Sequence, residues 1–390
     1  MDYRETRTSI SKREPFRSSF FCNRKELVIC LIFSALTIFL CFLSTGFEKQ
    51  IYLNAEGTCA TVLSVDNSGT YNTGLIRQGE QLCFIRVDEG SHKGKELSAV
   101  NLYTGKLEFD KVFSPGDRAW VLLEQDSQNK VIFANMVDHY RIDKEIFLIA
   151  IFALCLILFS GFTGVRTLLS FAFALLSIWK LLIPLMLKGV DPLLTALIIG
   201  NVIAVTTLLL VAGMTKKACA AILGSLICSI VTCFFSITFG LWFKVDGLVM
   251  QWSESLLYAG FENLDLSGIF LAGIYLACSG AIIDLAIDIS AALDELASSQ
   301  QHISFKSLMQ SGMRIGRSIV GSQTTTLLLA YMGSYLSIMM VYMAQGTPIM
   351  NILNSKNISS EILHTFTGCI GLVFVCPITS IICAFIHKKS

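Results

Sequence analysis

Residues 268–293 read GIFLAGIYLACSGAIIDLAIDISAAL, an apolar run whose only charges are Asp284 and Asp288. A helix crossing the hydrocarbon core needs about 20 mainly apolar residues, and this run exceeds that. At about 3.6 residues per turn, the two acids lie one turn apart. They share a face with Gly273, Ala277, Gly280, Ala281 and Ala291, whereas Leu271, Ile274, Ile282, Leu285 and Ile289 lie opposite. An Asp near mid-bilayer costs roughly 2.5–3.5 kcal/mol unless a partner or cavity compensates it. The small face is therefore expected to admit another helix, water or a cation, and the bulky face to meet lipid.

Similar runs occur at roughly 27–47, 146–164, 167–188, 193–213, 220–243, 320–345 and 362–386. Of the 390 residues, 53% are hydrophobic and 15% charged, against roughly 25% charged in a soluble domain. The chain thus reads as an α-helical integral membrane protein with about eight transmembrane helices. The run at 27–47 reads as a retained anchor behind a tail of residues 1–26, because Ser44-Thr45-Gly46-Phe47 offers no small-x-small cleavage site. Residues 146–390 supply the other seven helices. Only Val165-Arg166 separates the second and third runs, which predicts a tight helical hairpin.

Lysine and arginine in short loops set the orientation. Arg4, Arg7, Lys12, Arg13, Arg17, Arg24 and Lys25 precede the first run. With that end cytoplasmic, Arg166, Lys216, Lys217, Lys306, Arg314, Arg317, Lys388 and Lys389 fall on the same side. The loop at 244–267 is acidic and falls opposite. Both termini are expected in the cytoplasm.

Residues 51–145 alternate polar and apolar residues in short runs: Cys59–Val65, Gln81–Val87, Glu96–Leu102, Arg118–Leu123 and Lys130–Val137. Turn residues separate them, as in Asn67-Ser68-Gly69 and Ser114-Pro115-Gly116-Asp117. Some five short strands predict a small, closed, OB-like β-barrel outside the cytoplasm. Such barrels often bind oligonucleotides, but this one mixes acids with bases, and a spacer or docking role is expected instead. Cys59 and Cys83 could pair there; their spacing does not decide it.

No CxxC or HExxH pattern occurs, and the five histidines are scattered. Neither a metal nor another cofactor is expected, and no Ser-His-Asp order or phosphate loop suggests an enzyme. Ser304–Arg317 places Phe305, Leu308, Met309, Gly312, Met313 and Gly316 at helical spacing, with Arg314 and Arg317 elsewhere around the turn. It reads as a basic interfacial helix on the cytoplasmic face. Gly312-x-x-x-Gly316 is a weak packing signal there, outside any span.

A solute or ion pathway is expected between the runs at 268–293 and 320–345. Asp284 lies roughly 6 Å to the cytoplasmic side of its run's centre. Lys180, four residues before Pro184, could reach it as an internal ion pair, fix helix register, or extend to the outer interface. Gln323, Thr325 and Thr326, at the depth of Asp284, could coordinate a cation, hydrogen-bond a solute, or bond between helices.

Ser279-Gly280-Ala281-Ile282-Ile283-Asp284, Ser311-Gly312-Met313-Arg314-Ile315-Gly316-Arg317 and Thr326-Leu327-Leu328-Leu329-Ala330-Tyr331-Met332-Gly333 resemble the YibE/F family of bacterial multi-span membrane proteins. So do Lys180–Gly189, Gly213–Gly224, Lys93-Gly94-Lys95-Glu96 and Pro115-Gly116-Asp117. The resemblance covers most of the chain after about residue 51, with 279–333 its specific part. Ser318 stands where the family commonly has Asp, Asp288 where it has a small polar residue, and Thr325 where it has Asn. The resemblance implies a bacterial plasma-membrane protein and supplies no substrate. The expected function is a permease or secondary transporter for an ion or small solute. The alternative is a non-transporting assembly protein docking through its outer β-domain. Expected partners are membrane lipid and a related multi-span protein or a second copy, with no nucleic acid.

Overall fold

The computed structural model describes residues 24–47, 54–300 and 303–388. The basic residues Arg4 to Arg17, together with Lys389, lie outside them. The chain forms two compact units, one of Glu48–Cys155 and one of Met1–Phe47 with Leu156–Ser390.

The first unit carries six strands: β1 (Ala55–Asp66), β2 (Thr70–Thr73), β3 (Ile76–Val87), β4 (Glu96–Tyr103), β5 (Arg118–Gln125) and β6 (Val131–His139). Their order is β1-β5-β6-β4-β3-β2, and β1 also pairs with β3, from Ala60↔Val87 to Asp66↔Leu82. Five strands therefore close a barrel, and β2 extends one edge as a hairpin with β3. The one parallel contact joins β4 to β6 at Val100↔Asn135. This closed ring is the expected OB-like barrel, with β2 added.

Period-two alternation sends Val62, Cys83, Ile85, Ala99, Val121, Leu123, Ala134 and Met136 into its core. Gln81, fully buried, donates to Phe113 O (3.0 Å) and Asn67 Oδ1 (2.9 Å), and accepts from Asn101 Nδ2 (3.1 Å). These bonds satisfy amides that would be costly to bury unpaired, and they pin the segment before β5. Cys59 and Cys83 are both free and buried, so no disulfide joins them.

The helices are α1 (Arg24–Phe42), α2 (Ile142–Ser160), α3 (Phe162–Ser177), α4 (Ile183–Leu187), α5 (Pro192–Ala212), α6 (Lys216–Phe243), α7 (Ser253–Tyr258), α8 (Leu266–Ser299), α9 (Phe305–Ala344), α10 (Ile349–Leu353) and α11 (Lys356–Lys388). Five stretches are long and apolar enough to cross a membrane, with α3 and α4 counted as one, and a sixth if bent α9 is one span. Eight were expected. The apolar part of α1 ends at Phe42 instead of continuing to 47. The first turn of α2 takes in Asp143, Lys144 and Glu145.

Three boundaries also differ from expectation. The break between the second and third runs falls at Gly161, whose φ of 58° suits glycine. Val165 and Arg166 therefore lie inside α3. Residues 178–182 form a π-turn between α3 and α4. Pro184 explains it: proline lacks an N–H and its ring crowds the carbonyl four residues back, at Lys180, so the turn widens. Finally, Ser304–Arg317 is not a separate interfacial helix. It is the start of α9, because no proline or helix-ending cap interrupts the chain before residue 320. Helix α9 bends by 62° between Gly333 and Tyr335.

In this unit α6, α8 and α11 pack on one another; α9 packs on α11 and α8, α5 on α6 and α8, and α3 on α5. The glycine pair of α9 is a close-packing device after all. A Cβ on Gly312 would lie 2.8 Å from Ser380 Cβ and 2.9 Å from Leu293 Cδ1, and one on Gly316 would overlap Cys376 Sγ.

Candidate functional site: the open stripe of α8

Helix α8 packs against α5, α6, α9 and α11, which fixes what each side must carry. Ile274, Tyr275, Cys278, Ile282, Leu285, Ala286, Ile289 and Leu293 are buried. The bulky face expected to meet lipid is thus the packed core, since large side chains supply the contacts that hold helices together inside a bilayer. Along the middle of α8 the exposed residues are Ala277, Gly280, Asp284 and Asp288, flanked by half-buried Gly273, Ala281 and Ala291 and by half-buried Leu276 and Ile287. A Cβ built on Gly273 or Gly280 meets nothing within 4 Å.

The exposed residues of neighbouring helices are of another kind. Along α6 they include Leu223, Ile227, Ile230, Phe234, Ile237 and Leu241; along α11 they include Phe366, Val373, Phe374, Ile381 and Phe385. Those faces suit acyl chains. Glycine, alanine and two carboxylates do not.

Helix α8 runs six residues past the expected end of its span, so its midpoint lies between Ile282 and Ile283. Asp284 is about 2 Å from that midpoint along the axis. Lys180 lies in the π-turn, which packs on α5.

The contacts of Gly312 with Leu293 and of Gly316 with Ile289 set the register between the antiparallel α9 and α8. Counting from them, Arg317 is level with Asp288, Gly321 with Asp284 and Thr325 with Gly280. The polar start of the seventh run is thus at the depth of the acids. Gln323 is half-buried, while Thr325 and Thr326 are exposed. Their hydroxyls donate within α9, to Gly321 O at 3.3 Å and Ser322 O at 3.1 Å, rather than to another helix. Each hydroxyl oxygen keeps a lone pair for a ligand. Arg314 and Arg317 are exposed on the same helix.

The family model described as YibE/F-like protein matches residues 148–389. The chain belongs to the YibE/F family. The match covers the helices of the stripe and stops short of the barrel, so the resemblance seen in Lys93–Glu96 and Pro115–Asp117 lies outside it. No curated protein and no solved structure matches the chain. With its long apolar helices, this YibE/F member is a membrane protein.

Two polar groupings of this unit escaped the sequence reading. Tyr275, fully buried, has its hydroxyl 3.3 Å from Asn201 Oδ1, to which it donates, and 3.4 Å from Ser229 Oγ, clasping α8 to α5 and α6. Its ring sits where Gly200 lacks a side chain; a Cβ there would be 2.7 Å from the hydroxyl. Asn201, the one amide in an apolar run, was the available signal. The other grouping is Glu361, His364 and Tyr331. His364 Nδ1 lies 3.7 Å from Glu361, and its ring stacks on Tyr331 at 4.4 Å.

Proposed function

We propose that this YibE/F protein is a permease or secondary transporter, not an enzyme, moving a cation or small cationic solute along the α8 stripe. One observation carries the reading: the exposed residues along the middle of a helix packed by four others are glycine, alanine and two acids, where α6 and α11 expose large apolar side chains. Glycine and alanine leave room for water, and Asp284 at mid-helix gives a cation its counter-charge. Thr325 and Thr326 line the same depth with oxygen.

In this reading α1 and α2 also cross, making eight spans in a bacterial plasma membrane. Both termini are cytoplasmic and the barrel lies outside. The test is uptake and efflux of a panel of ions and small metabolites by a deletion strain. Complementation with the Asp284→Asn variant should fail at normal abundance, and Asp288→Asn should have the smaller effect. Full complementation by Asp284→Asn rejects the reading.

A second reading makes the stripe an interface with another copy of the chain. It is favoured by Arg317 standing level with Asp288, since a two-fold axis along the membrane normal preserves depth. Asp288→Cys combined with Arg317→Cys should then cross-link two copies; failure to do so in membranes removes this reading.

A further inference from the structure

At the end of the helical unit where α6 and α9 begin and α8 and α11 finish, the helix ends enclose a cavity of about 330 Å³. Lys216 of α6, Asp294 and Ser298 of α8, Phe305 of α9, and His387 and Lys388 of α11 line it. We propose that this cavity binds a phosphate-ester anion, the headgroup of an anionic phospholipid.

The wall is basic on balance. Among its described residues two lysines and a histidine stand against one acid. Asp294 Oδ1 lies 3.3 Å from His387 Nε2, so the protonated imidazole answers that carboxylate within the wall. The lysines then give the cavity a net positive charge, which draws an anion.

The helix starts add to it. A helix N-terminus favours acids, because its free N–H groups carry partial positive charge. Yet neither α6 nor α9 has an acid in its first turn. Helix α6 opens on Lys216 and Lys217, and α9 has Lys306 as its second residue. An anion held between the two starts supplies the negative charge that both lack.

The surroundings favour a lipid as the source of the phosphate. Phe305 packs on Phe385 with ring centroids 4.9 Å apart. Phe385 and Ile381 are exposed on α11, on a face that suits acyl chains. A soluble phosphate ester would use the cavity alone, whereas a phospholipid uses the cavity and the apolar face beside it. Basic pockets between membrane helices are a recurrent seat for anionic headgroups. Asp294 is ten residues, or about 15 Å, beyond Asp284 along α8, and the inference does not rest on the transport reading.

The experiment is native mass spectrometry of the full-length protein, stripped of lipid in non-ionic detergent and titrated with dioleoylphosphatidylglycerol. Saturable binding is expected, tighter than that of dioleoylphosphatidylcholine. Lys216→Gln combined with Lys388→Gln should weaken it about tenfold or more. Lys188→Gln combined with Lys244→Gln removes the same charge from exposed lysines outside this wall and should leave binding unchanged. Ser298→Trp, which fills the cavity and keeps its charges, should abolish binding. Equal affinity in the Lys216 and Lys388 variant overturns the proposal. So does an equal loss in the Lys188 and Lys244 variant, or equal binding of the two lipids. Displacement of the lipid by glycerol 3-phosphate at equal concentration overturns the lipid source and makes the ligand a soluble phosphate.

Discussion

Gly316 of α9 lies so close to Cys376 of α11 that any side chain on the glycine would overlap the sulfur. Four residues earlier Gly312 meets Ser380 in the same way, and the two contacts fix the register of α9 against both α8 and α11. That register is what sets Arg317 level with Asp288 and Gly321 level with Asp284.

Substituting the packed glycines should therefore be costly and substituting the open ones should not. Gly316→Ala is expected to destabilise the protein by about 1–3 kcal/mol through overpacking. Gly280→Ala and Gly321→Ala, whose added Cβ meets nothing within 4 Å, should be close to neutral. Thermal unfolding of the detergent-solubilised variants measures the difference. Equal losses at all three positions would show that the register is misplaced.

Tyr275→Phe removes the hydroxyl bonded to Asn201 and Ser229 while keeping the buried ring. Hydrogen bonds between membrane helices are worth about 0.6 kcal/mol on average and rarely above 1.7, so a loss within that range is expected. Gly200→Ala, which pushes on the ring itself, should cost more. A Tyr275→Phe protein as stable as wild type would mean that Asn201 and Ser229 satisfy each other without it.

The barrel offers a pH test. The Ser91 hydroxyl, then its N–H, bonds Glu56 and holds that carboxyl below its usual range. A carboxyl depressed in the folded state adds stability that is complete above its unfolded value and lost as pH falls through the folded one. Residues 54–141 expressed alone should show β-type circular dichroism and melt cooperatively. Their melting temperature should fall below about pH 4.5, the unfolded glutamate range, and Glu56→Gln should flatten that fall. An identical acid limb in the variant would remove Glu56 from the account, and a helical or unfolded spectrum would reject the barrel.

Thiol labelling checks Cys59 and Cys83. Burial pushes Cys83 up to about 11 and raises Cys59 as well, against the pull of Arg118. Both should react slowly with maleimide at pH 8 when folded and quickly once denatured, without reductant. Denatured thiols that still resist would reveal a disulfide.

The sequence displayed the barrel well, because period-two alternation and Gly, Pro and Asp turns are local signals. It lost only β2, a four-residue hairpin arm with no buried residue. The membrane helices were legible as apolar runs, but their neighbours were not. Whether Ile282 or Gly280 faces outward depends on how many helices surround α8, which no periodicity records. The acids stood out because charge is rare inside an apolar run, and Asp284 lies on the small-residue side of α8 read from the sequence, while the bulky side turned out to be the packed core. Glu361 and His364 were passed over because they fall at the edge of an apolar run, where charge looks ordinary until α9 bends over it.

The central claim, that water and solute reach the α8 stripe, is tested most directly by cysteine accessibility. Single cysteines at Gly280, Asp284 and Phe234, in a background without reactive native thiols, would be exposed in native membranes to a membrane-impermeant methanethiosulfonate cation. Phe234 is the control, exposed on an apolar face of α6. The account predicts rapid modification at positions 280 and 284 and none at 234; positions 280 and 284 as inert as 234 would contradict it.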